Sequence, residues 1–588
     1  MSLLQSQPTA YFKRPATSRT VGSGERTLLL MILLTLSLFG AIGTRLGYLQ
    51  LIEGERNQQL ANENRIRLIP KRPERGKLLD RKGRILAHSR FSYSVFVWPM
   101  VLRQAEWPQT RAIVAEILNL PEDEIQERLE QAGEYSPTLV RIAQALPFDQ
   151  VVALAERSYE LPGVEIDQEA VRDYPHGELA AQVLGYIGEI SAEELDRRQD
   201  EGYRLGDIVG QMGIEAAYES QLRGTWGGQQ VEVDGSGRIV QVLGEKPSLP
   251  GKNVTLSLDL EVQRAAEAAL GDRQGAVVAI DPRNGEVLAM ASRPGFDPNW
   301  FARRVTEAEW QQLQSRQFPF VNRALQGFPP ASTFKVVTAI AGLESDTFSP
   351  DTILMTYPSI HGVGDWNGAG FGAIGFVTAM QWSSNTFFGQ VGVRTGPTLF
   401  LEWAKKLGLG LPTGIDIQGE SAGFLPDPAW KEEVFGYGWY PADSVMVSIG
   451  QGAVQVSPLQ AAMVYATIAN GGYRVKPHLL RAATEQPEWQ PVPLNLKPST
   501  LNVIRNGLRA VVTSGTGQAL NVPSIPPAAG KSGTGEDPPR RSHTWFGAYA
   551  PFNNPEIVVV AFGENTGGGG GSVAGPMTLQ VLEAYFKK

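Results

Sequence analysis

The sequence predicts an α+β protein with a single transmembrane helix, an elongated α+β stalk, and a C-terminal domain. In that last domain helices flank a central antiparallel sheet into which a helical region is inserted. Three observations carry this prediction. An uncharged apolar run lies near the N-terminus. Hairpin signals bracket the C-terminal region at both of its ends. The stretch between them reads mainly as helix. The domains expected are a tail at 1–26, an anchor at 27–51, a stalk or pedestal at 52–250 and a C-terminal domain at 251–588.

At 588 residues the chain is too long for one ordinary domain. Its net charge of -8 is modest for that size and gives no reason to expect nucleic acid. The absence of cysteine excludes disulfides, thiolate nucleophiles and thiolate metal sites.

Residues 27–44 carry no charge, and apolar residues continue past Arg45 to Ile52. That length crosses a bilayer. The run has no small-x-small cleavage site, so an uncleaved anchor is expected rather than a signal peptide. Lys13, Arg14, Arg19 and Arg26 precede it; Arg45, Arg56 and Arg65 follow. The basic residues lean towards a cytoplasmic N-terminus, with the rest of the chain outside.

Beyond the anchor, 109–118 and 122–131 read as amphipathic helices split by Pro121, and 148–157 as a third. Residues 75–87 read as strand, Asp/Lys-Gly turn and strand. Residues 229–233 and 238–242 flank Asp234-Gly235-Ser236-Gly237, another hairpin signal. No catalytic set of residues assembles in this region, so its expected role is structural.

Pro247, Pro250 and Gly251 mark a boundary. After it, 254–258 reads as strand and 260–270 as helix. Residues 275–280 and 286–291 are strands around Asp281-Pro282-Arg283-Asn284-Gly285. Residues 544–550 and 557–563 are strands around Pro551-Phe552-Asn553-Asn554-Pro555, and 577–586 is a closing helix. The run Gly567 to Gly571 reads as a flexible connector.

Three short motifs lie on this frame. Pro329-Pro330-Ala331-Ser332-Thr333-Phe334-Lys335 runs into an apolar helix without a breaker until Gly342. Ser332 is expected in its first turn, with Lys335 on the same face. A serine oxygen needs a base to become a nucleophile, and a lysine serves if burial lowers its pKa. Alone, such a pair is usually a solvated helix face. The second motif is Ser383-Ser384-Asn385, which alone could be a helix cap. The third is Lys531-Ser532-Gly533-Thr534. Its Gly530-Lys531-Ser532 lacks the glycine a phosphate loop needs five residues earlier, where Ile525 stands.

Ser-x-x-Lys, Ser-x-Asn and Lys-Ser-Gly-Thr in this order resemble the active-site serine penicillin-recognising enzymes. Over nearly its whole length the chain resembles a class B penicillin-binding protein. Arg75-Gly76 through Asp80-Arg81 and Gly83 match stalk motifs of that family. So do Arg172-Asp173-Tyr174-Pro175, Gly185-Tyr186-Ile187-Gly188, Gly213-Ile214-Glu215, Tyr218-Glu219 and Leu222-Arg223-Gly224. Gly285-Glu286-Val287-Leu288-Ala289-Met290 matches the first hairpin. Ser448-Ile449-Gly450-Gln451-Gly452 with Ser457-Pro458-Leu459-Gln460 looks like the elongation type, penicillin-binding protein 2, more than the division type. Ala331 departs from the glycine common there.

The resemblance implies a peptidoglycan D,D-transpeptidase of the bacterial plasma membrane, with D,D-carboxypeptidase as a side activity and β-lactams as inhibitors. Ser332 would attack the stem peptide and Lys335 take its proton. Ser383 would relay a proton to the leaving D-alanine. Asn385 would hold the substrate amide and Lys335. Lys531 would supply positive potential beside Ser383. Ser532 and Thr534, around Gly533, would bind the terminal carboxylate. The N–H groups of Ser332 and Thr534 would form the oxyanion hole. Asp365, Trp366 and Trp382 would line the cleft.

The implied partners are peptidoglycan stem peptides, β-lactams, a SEDS-family glycan polymerase and elongation-complex membrane proteins. No cofactor is expected. Some elongation-type members bind zinc near Ser-x-Asn through acidic residues, a histidine and a cysteine. Asp351, His361 and Asp365 are reminiscent of that set, but without cysteine no metal is expected. The competing readings are a division-type relative, a β-lactamase, a β-lactam sensor and an inactive scaffold. No carboxylate stands out as a hydrolytic base; Glu402, Asp416 and Glu420 lack a recognisable context.

Overall fold

The computed structural model describes residues 23–52, 66–134, 136, 139–204, 206–233, 239–303 and 305–587. The expected cytoplasmic tail before residue 23, the basic residues Arg56 and Arg65, and the turn 234–237 with Arg238 lie outside them. The chain divides into two compact units.

The first unit comprises residues up to 71 together with 228–247. It contains helix α1 (Ser23–Gly47), extended by a π-helical turn at Tyr48–Ile52. Residues Arg26–Ile52 are long and apolar enough to cross a membrane, and all their leucines and isoleucines but Leu49 are exposed. Ile66–Lys71, Gly227–Val233 and Ile239–Lys246 form a three-stranded sheet.

The second unit, 72–227 with 248–588, carries everything else. In its N-terminal part the strand Ile85–Val97 pairs with Val164–Asp173 along the length of the latter. Helices Trp107–Leu118, Glu122–Ala132 and Phe148–Glu156 place Val114, Leu129 and Leu154 against Val95 and Val97.

The strand expected over 254–258 is confined to Val254–Thr255, which pairs in parallel with Leu78–Leu79. Leu256 continues only as an isolated bridge to Leu480. Leu78, Tyr174, Val183 and Ile214 share one apolar core with Leu256, Val278 and Ile340.

The stalk motifs converge beside that core. Arg75 donates to Glu215 at 2.6 Å and to Glu219 at 2.7 Å, and Arg172 donates to Glu215 at 2.7 Å and to Gly76 O at 2.8 Å. Tyr174 OH reaches the same carboxylate at 3.2 Å. Burial alone would raise the Glu215 carboxyl; Arg172 and Arg75 outweigh it, and the net shift is downward.

The C-terminal sheet begins after α2 (Leu260–Leu270), whose N-cap Asp259 accepts from Glu261 N. Its strands are β1 (Gly275–Ile280), β2 (Val287–Arg293), β3 (Ala529–Gly535), β4 (His543–Ala550) and β5 (Ile557–Gly563), in the antiparallel order β2-β1-β5-β4-β3. Sequence reading placed four of these strands. It missed β3, whose small residues have weak strand propensity.

The central strands β1 and β5 are continuously apolar because both faces are covered. Ala276, Val278 and Ile280 face the core that holds Val336 and Ile340. Val277 and Ala279 face α2 and the final helix α7 (Ala574–Phe586). Between β2 and β3 lie α3 (Lys335–Glu344), α4 (Asn385–Lys406), α5 (Pro441–Ser448) and α6 (Pro498–Ser514).

Removing one partner of a buried ion cluster leaves uncompensated charge. Glu215→Ala is therefore expected to cost about 3–5 kcal/mol of stability, read by urea denaturation. A loss within the range of a surface substitution would contradict the role given to this cluster.

Candidate active site

Ser332 stands on a 3-10 turn, Ala331–Phe334, and not in the first turn of α3 as expected. The φ of 51° at Ala331 lies in the left-handed region, so the α-helix cannot extend back through it. Lys335 N–H instead closes back onto Ser332 O, the i→i+3 pattern. Gly450 holds this turn: Ala331 N donates to Gly450 O at 2.8 Å. A Cβ on Gly450 would sit 2.3 Å from Ala331 O, so no larger residue fits.

Lys335 is the first residue of α3 and is wholly buried. Its Nζ donates to Ser383 O at 2.7 Å, Asn385 Oδ1 at 2.6 Å and Ser383 Oγ at 3.3 Å. Burial drives its pKa down to about 7, against a smaller upward pull from Asp365. The first two motifs thus meet at one amine. No hydrogen bond from Ser332 Oγ is present among the described residues, and catalytic contacts often tighten only with substrate.

Ser383 adopts a φ of 57°, which turns its carbonyl and hydroxyl towards Lys335. The next residue, Ser384, caps α4 by accepting from Phe387 N at 3.1 Å. Asp365 then braces the whole segment. It accepts from Ser384 Oγ (3.0 Å), Thr386 N (3.1 Å), Thr386 Oγ1 (2.8 Å) and the backbone N–H of Asn385. A carboxylate at a helix N-terminus is favoured by the unpaired N–H groups there. Asn385 Nδ2 donates to Gly364 O at 2.8 Å, which aims its Oδ1 at Lys335.

Asp365 is therefore a buried brace, where sequence reading placed it on the cleft wall. The zinc set does not fit either. Asp365 is occupied by these donors, and Asp351 and His361 are exposed. Among the described residues no three His, Asp or Glu side chains gather to hold a metal.

Trp366 is 65% exposed, and its Nε1 donates to Trp382 O at 2.7 Å. Phe371 stacks on Trp382 with ring centroids 6.4 Å apart. These aromatics form a wall next to Ser383.

The third motif lies on β3, the edge strand of the sheet, so one row of its backbone groups is unpaired within the sheet. Gly533 is pressed against the Ser332 turn; a Cβ there would lie 3.1 Å from Thr333 N. Lys531 is fully buried, and its Nζ donates to Ser532 O at 2.9 Å. Burial lowers its pKa strongly, and the nearby Lys335 lowers it further. No hydrogen bond joins Lys531 to Ser383 among the described residues.

Two contacts to this strand carry no sequence signal. Ser532 Oγ lies 2.7 Å from Thr516 Oγ1, and Thr534 Oγ1 accepts from Gly570 N at 3.0 Å. The glycine run is thus more than a connector. A Cβ on Gly570 would meet Gly533 O at 2.2 Å, and one on Gly571 would meet Thr516 O at 2.3 Å. A serine three residues before a buried amine poised near neutrality, with hydroxyls along an open strand edge, is equipped for acyl transfer through serine.

Residues 275–583 match the penicillin binding protein transpeptidase domain, and residues 70–256 match the penicillin-binding protein dimerisation domain. The peptidoglycan D,D-transpeptidase MrdA of Haemophilus influenzae is 31% identical over 602 residues, covering 96% of this chain and 92% of that protein. The complex between penicillin-binding protein (PBP2) and MreC from Helicobacter pylori gives a TM-score of 0.79 at 25% identity, covering 89% of this chain and 99% of that one. A chain from a structure of polymerization and crosslinking by a peptidoglycan synthase complex gives a TM-score of 0.70 at 33% identity, covering 96% and 98%.

Asp365→Ala removes the acceptor from several donors at once. It is expected to cost about 2–4 kcal/mol, measured by denaturant unfolding followed through tryptophan fluorescence. The exposed Asp351→Ala serves as the reference and should change stability by less than about 0.5 kcal/mol. Equal effects of the two substitutions would remove Asp365 from the role of brace.

Proposed function

The chain belongs to the penicillin-binding protein transpeptidase family, and from that premise we propose how its residues divide the work. It is an elongation-type class B member and a peptidoglycan D,D-transpeptidase. The observation that carries the residue assignments is the buried Lys335 amine bonded to both Ser383 and Asn385.

Neutral Lys335 takes the proton of Ser332 as Oγ attacks the carbonyl between the two terminal D-alanines of a stem peptide. The oxyanion forms against the N–H groups of Ser332 and Thr534, where developing charge is best stabilised by fixed donors. Lys335 passes the proton through Ser383 to the leaving D-alanine. Asn385 holds the substrate amide. Ser532 and Thr534 bind the terminal carboxylate, and Lys531, whose protonated form that anion favours against its burial, supplies positive potential. An amine from a neighbouring stem resolves the ester on Ser332 and closes the cross-link. Water in place of that amine gives carboxypeptidase turnover.

A β-lactam acylates the same serine. Its leaving amine stays attached and obstructs the acceptor. The three carboxylates without a hydrolytic context in the sequence are engaged elsewhere: Glu402 with Lys406, Asp416 with Leu479 N and Leu480 N, Glu420 with Thr413 N. This favours a long-lived adduct over β-lactamase turnover.

The partners proposed are a SEDS-family polymerase that supplies glycan strands, and membrane proteins of the elongation complex, among them a protein of the MreC kind. The basic residues before α1 favour a cytoplasmic N-terminus with the catalytic region outside. A C-terminal reporter that works only outside the cytoplasm is expected to be active; activity solely from a cytoplasmic reporter would reverse the orientation.

Intact-protein mass spectrometry tests the chemistry. Penicillin is expected to add to the protein and stay for many minutes, and Ser332→Ala is expected to take up none. In Lys335→Ala the adduct should form about 10²–10⁴-fold more slowly, the usual worth of a general base. Rapid return to the free mass with released hydrolysed penicillin would make this a β-lactamase.

The pH dependence follows from Lys335. Below its pKa of about 7 the amine is protonated and cannot accept the serine proton. The acylation rate is expected to fall as pH drops below about 7 and to level off above it. A rate that stays flat through this range would exclude Lys335 as the base.

A further inference from the structure

The hydroxyls assigned to the substrate carboxylate can bind an anion only if their protons point at it. A hydroxyl turned the other way offers lone pairs and repels a carboxylate. Ser532 and Thr534 lie two residues apart on β3, so their side chains leave the same face of the strand. Each has a partner behind it. Gly570 N–H can only donate, so Thr534 Oγ1 is the acceptor at 3.0 Å and its own proton must be directed elsewhere. Behind Ser532 is the Thr516 hydroxyl, 2.7 Å away. Of the two polarities open to that pair, an anion in front of Ser532 selects the one in which Thr516 donates. The chain Thr516 O–H to Ser532 O–H to carboxylate is then cooperative, each bond strengthening the next.

The two backing groups are held together. Gly571 packs against Thr516 O, and Gly570 packs where β3 meets β4, at contacts that leave no room for a Cβ. Thr516 is further tied to the Ser383 loop: its N–H donates to Gln381 O at 3.4 Å, and Gln381 Nε2 donates to Ser514 Oγ at 3.0 Å.

We propose that the Thr516 hydroxyl and the Gly570 N–H are positioning groups that turn the Ser532 and Thr534 protons towards the terminal carboxylate of the substrate. They thereby set the preference of this enzyme for a free acid over an ester or amide. This rests on the reading of Ser532 and Thr534 as the carboxylate subsite. No proton is transferred along the chain; the groups act by orientation alone.

The test compares benzylpenicillin with its methyl ester, following the Ser332 adduct by mass spectrometry. Thr516→Val keeps the shape and removes the hydroxyl. It is expected to slow acylation by the free acid about tenfold, the lower worth of a hydrogen bond to a charged group. Acylation by the ester should change less than about twofold, and Thr516→Ser should restore the acid rate. Thr516→Ala gives the same reading if the valine variant does not fold. A structural role would slow acid and ester alike, and that outcome, or an undiminished acid rate, overturns the proposal. Ser532→Ala separates the two levels of inference. If it discriminates acid from ester and Thr516→Val does not, only the positioning role falls. If Ser532→Ala treats both alike, the carboxylate subsite falls and the proposal with it.

Discussion

A lysine amine without solvent contact governs the architecture of this protein. Burial of Lys335 lowers its pKa towards neutrality and at the same time demands hydrogen-bond acceptors for every N–H it carries. Ser383 and Asn385 provide them, and each must in turn be held. Ser383 needs an unusual backbone angle. Asn385 needs Gly364 O, and the start of α4 needs Asp365. The Ser332 turn needs Gly450 behind Ala331. The inserted helical region is thus a scaffold in successive shells, each fixing the one inside it, around an amine tuned by exclusion of water.

The parts of this arrangement that were legible in the sequence are the local ones. Ser332 and Lys335 are three residues apart, and Ser383 and Asn385 two apart, so a short window contains each pair. The hairpin around Asp281 to Gly285 was legible because turn chemistry is local too. What escaped is non-local. Asp365 acts on a helix that begins twenty residues later, as the nearest available acceptor for its first turn. β3 is a strand because β4 pairs with it, against the weak propensity of its glycines and serine. Ser332 lies on a 3-10 turn ahead of the α-helix, next to a left-handed Ala331 packed against Gly450, a tertiary contact that no propensity encodes. The glycine run looked like a tether because repetition of glycine says nothing about which backbone must be approached.

The stalk motifs have a similar logic. Arg75, Arg172 and Glu215 come from segments far apart in sequence, yet their side chains complete one buried cluster. Ion pairs of this kind contribute little net stability but strongly disfavour partners left unmatched. They fix which segment lies beside which. Because Leu78 and Ile214 share a core with Val278 and Ile340, the lower stalk and the catalytic sheet are one packed body. A displacement of the Arg75 segment therefore disturbs the packing behind β1 directly.

The open edge of β3 has a cost that its composition offsets. An unpaired strand edge invites any extended chain to add to the sheet, and self-association is the usual hazard. Ala529–Gly535 contains three glycines, a serine, a threonine and a lysine whose side chain is buried. Such a strand offers a neighbouring protein almost no apolar side chain to interdigitate with, so adventitious pairing gains backbone hydrogen bonds and little else. On the proposed reading of Ser532 and Thr534, a short peptide ending in a carboxylate gains the same backbone bonds and two hydroxyl donors as well. On that reading the edge can stay open because what makes it adhesive is reserved for chains that end there.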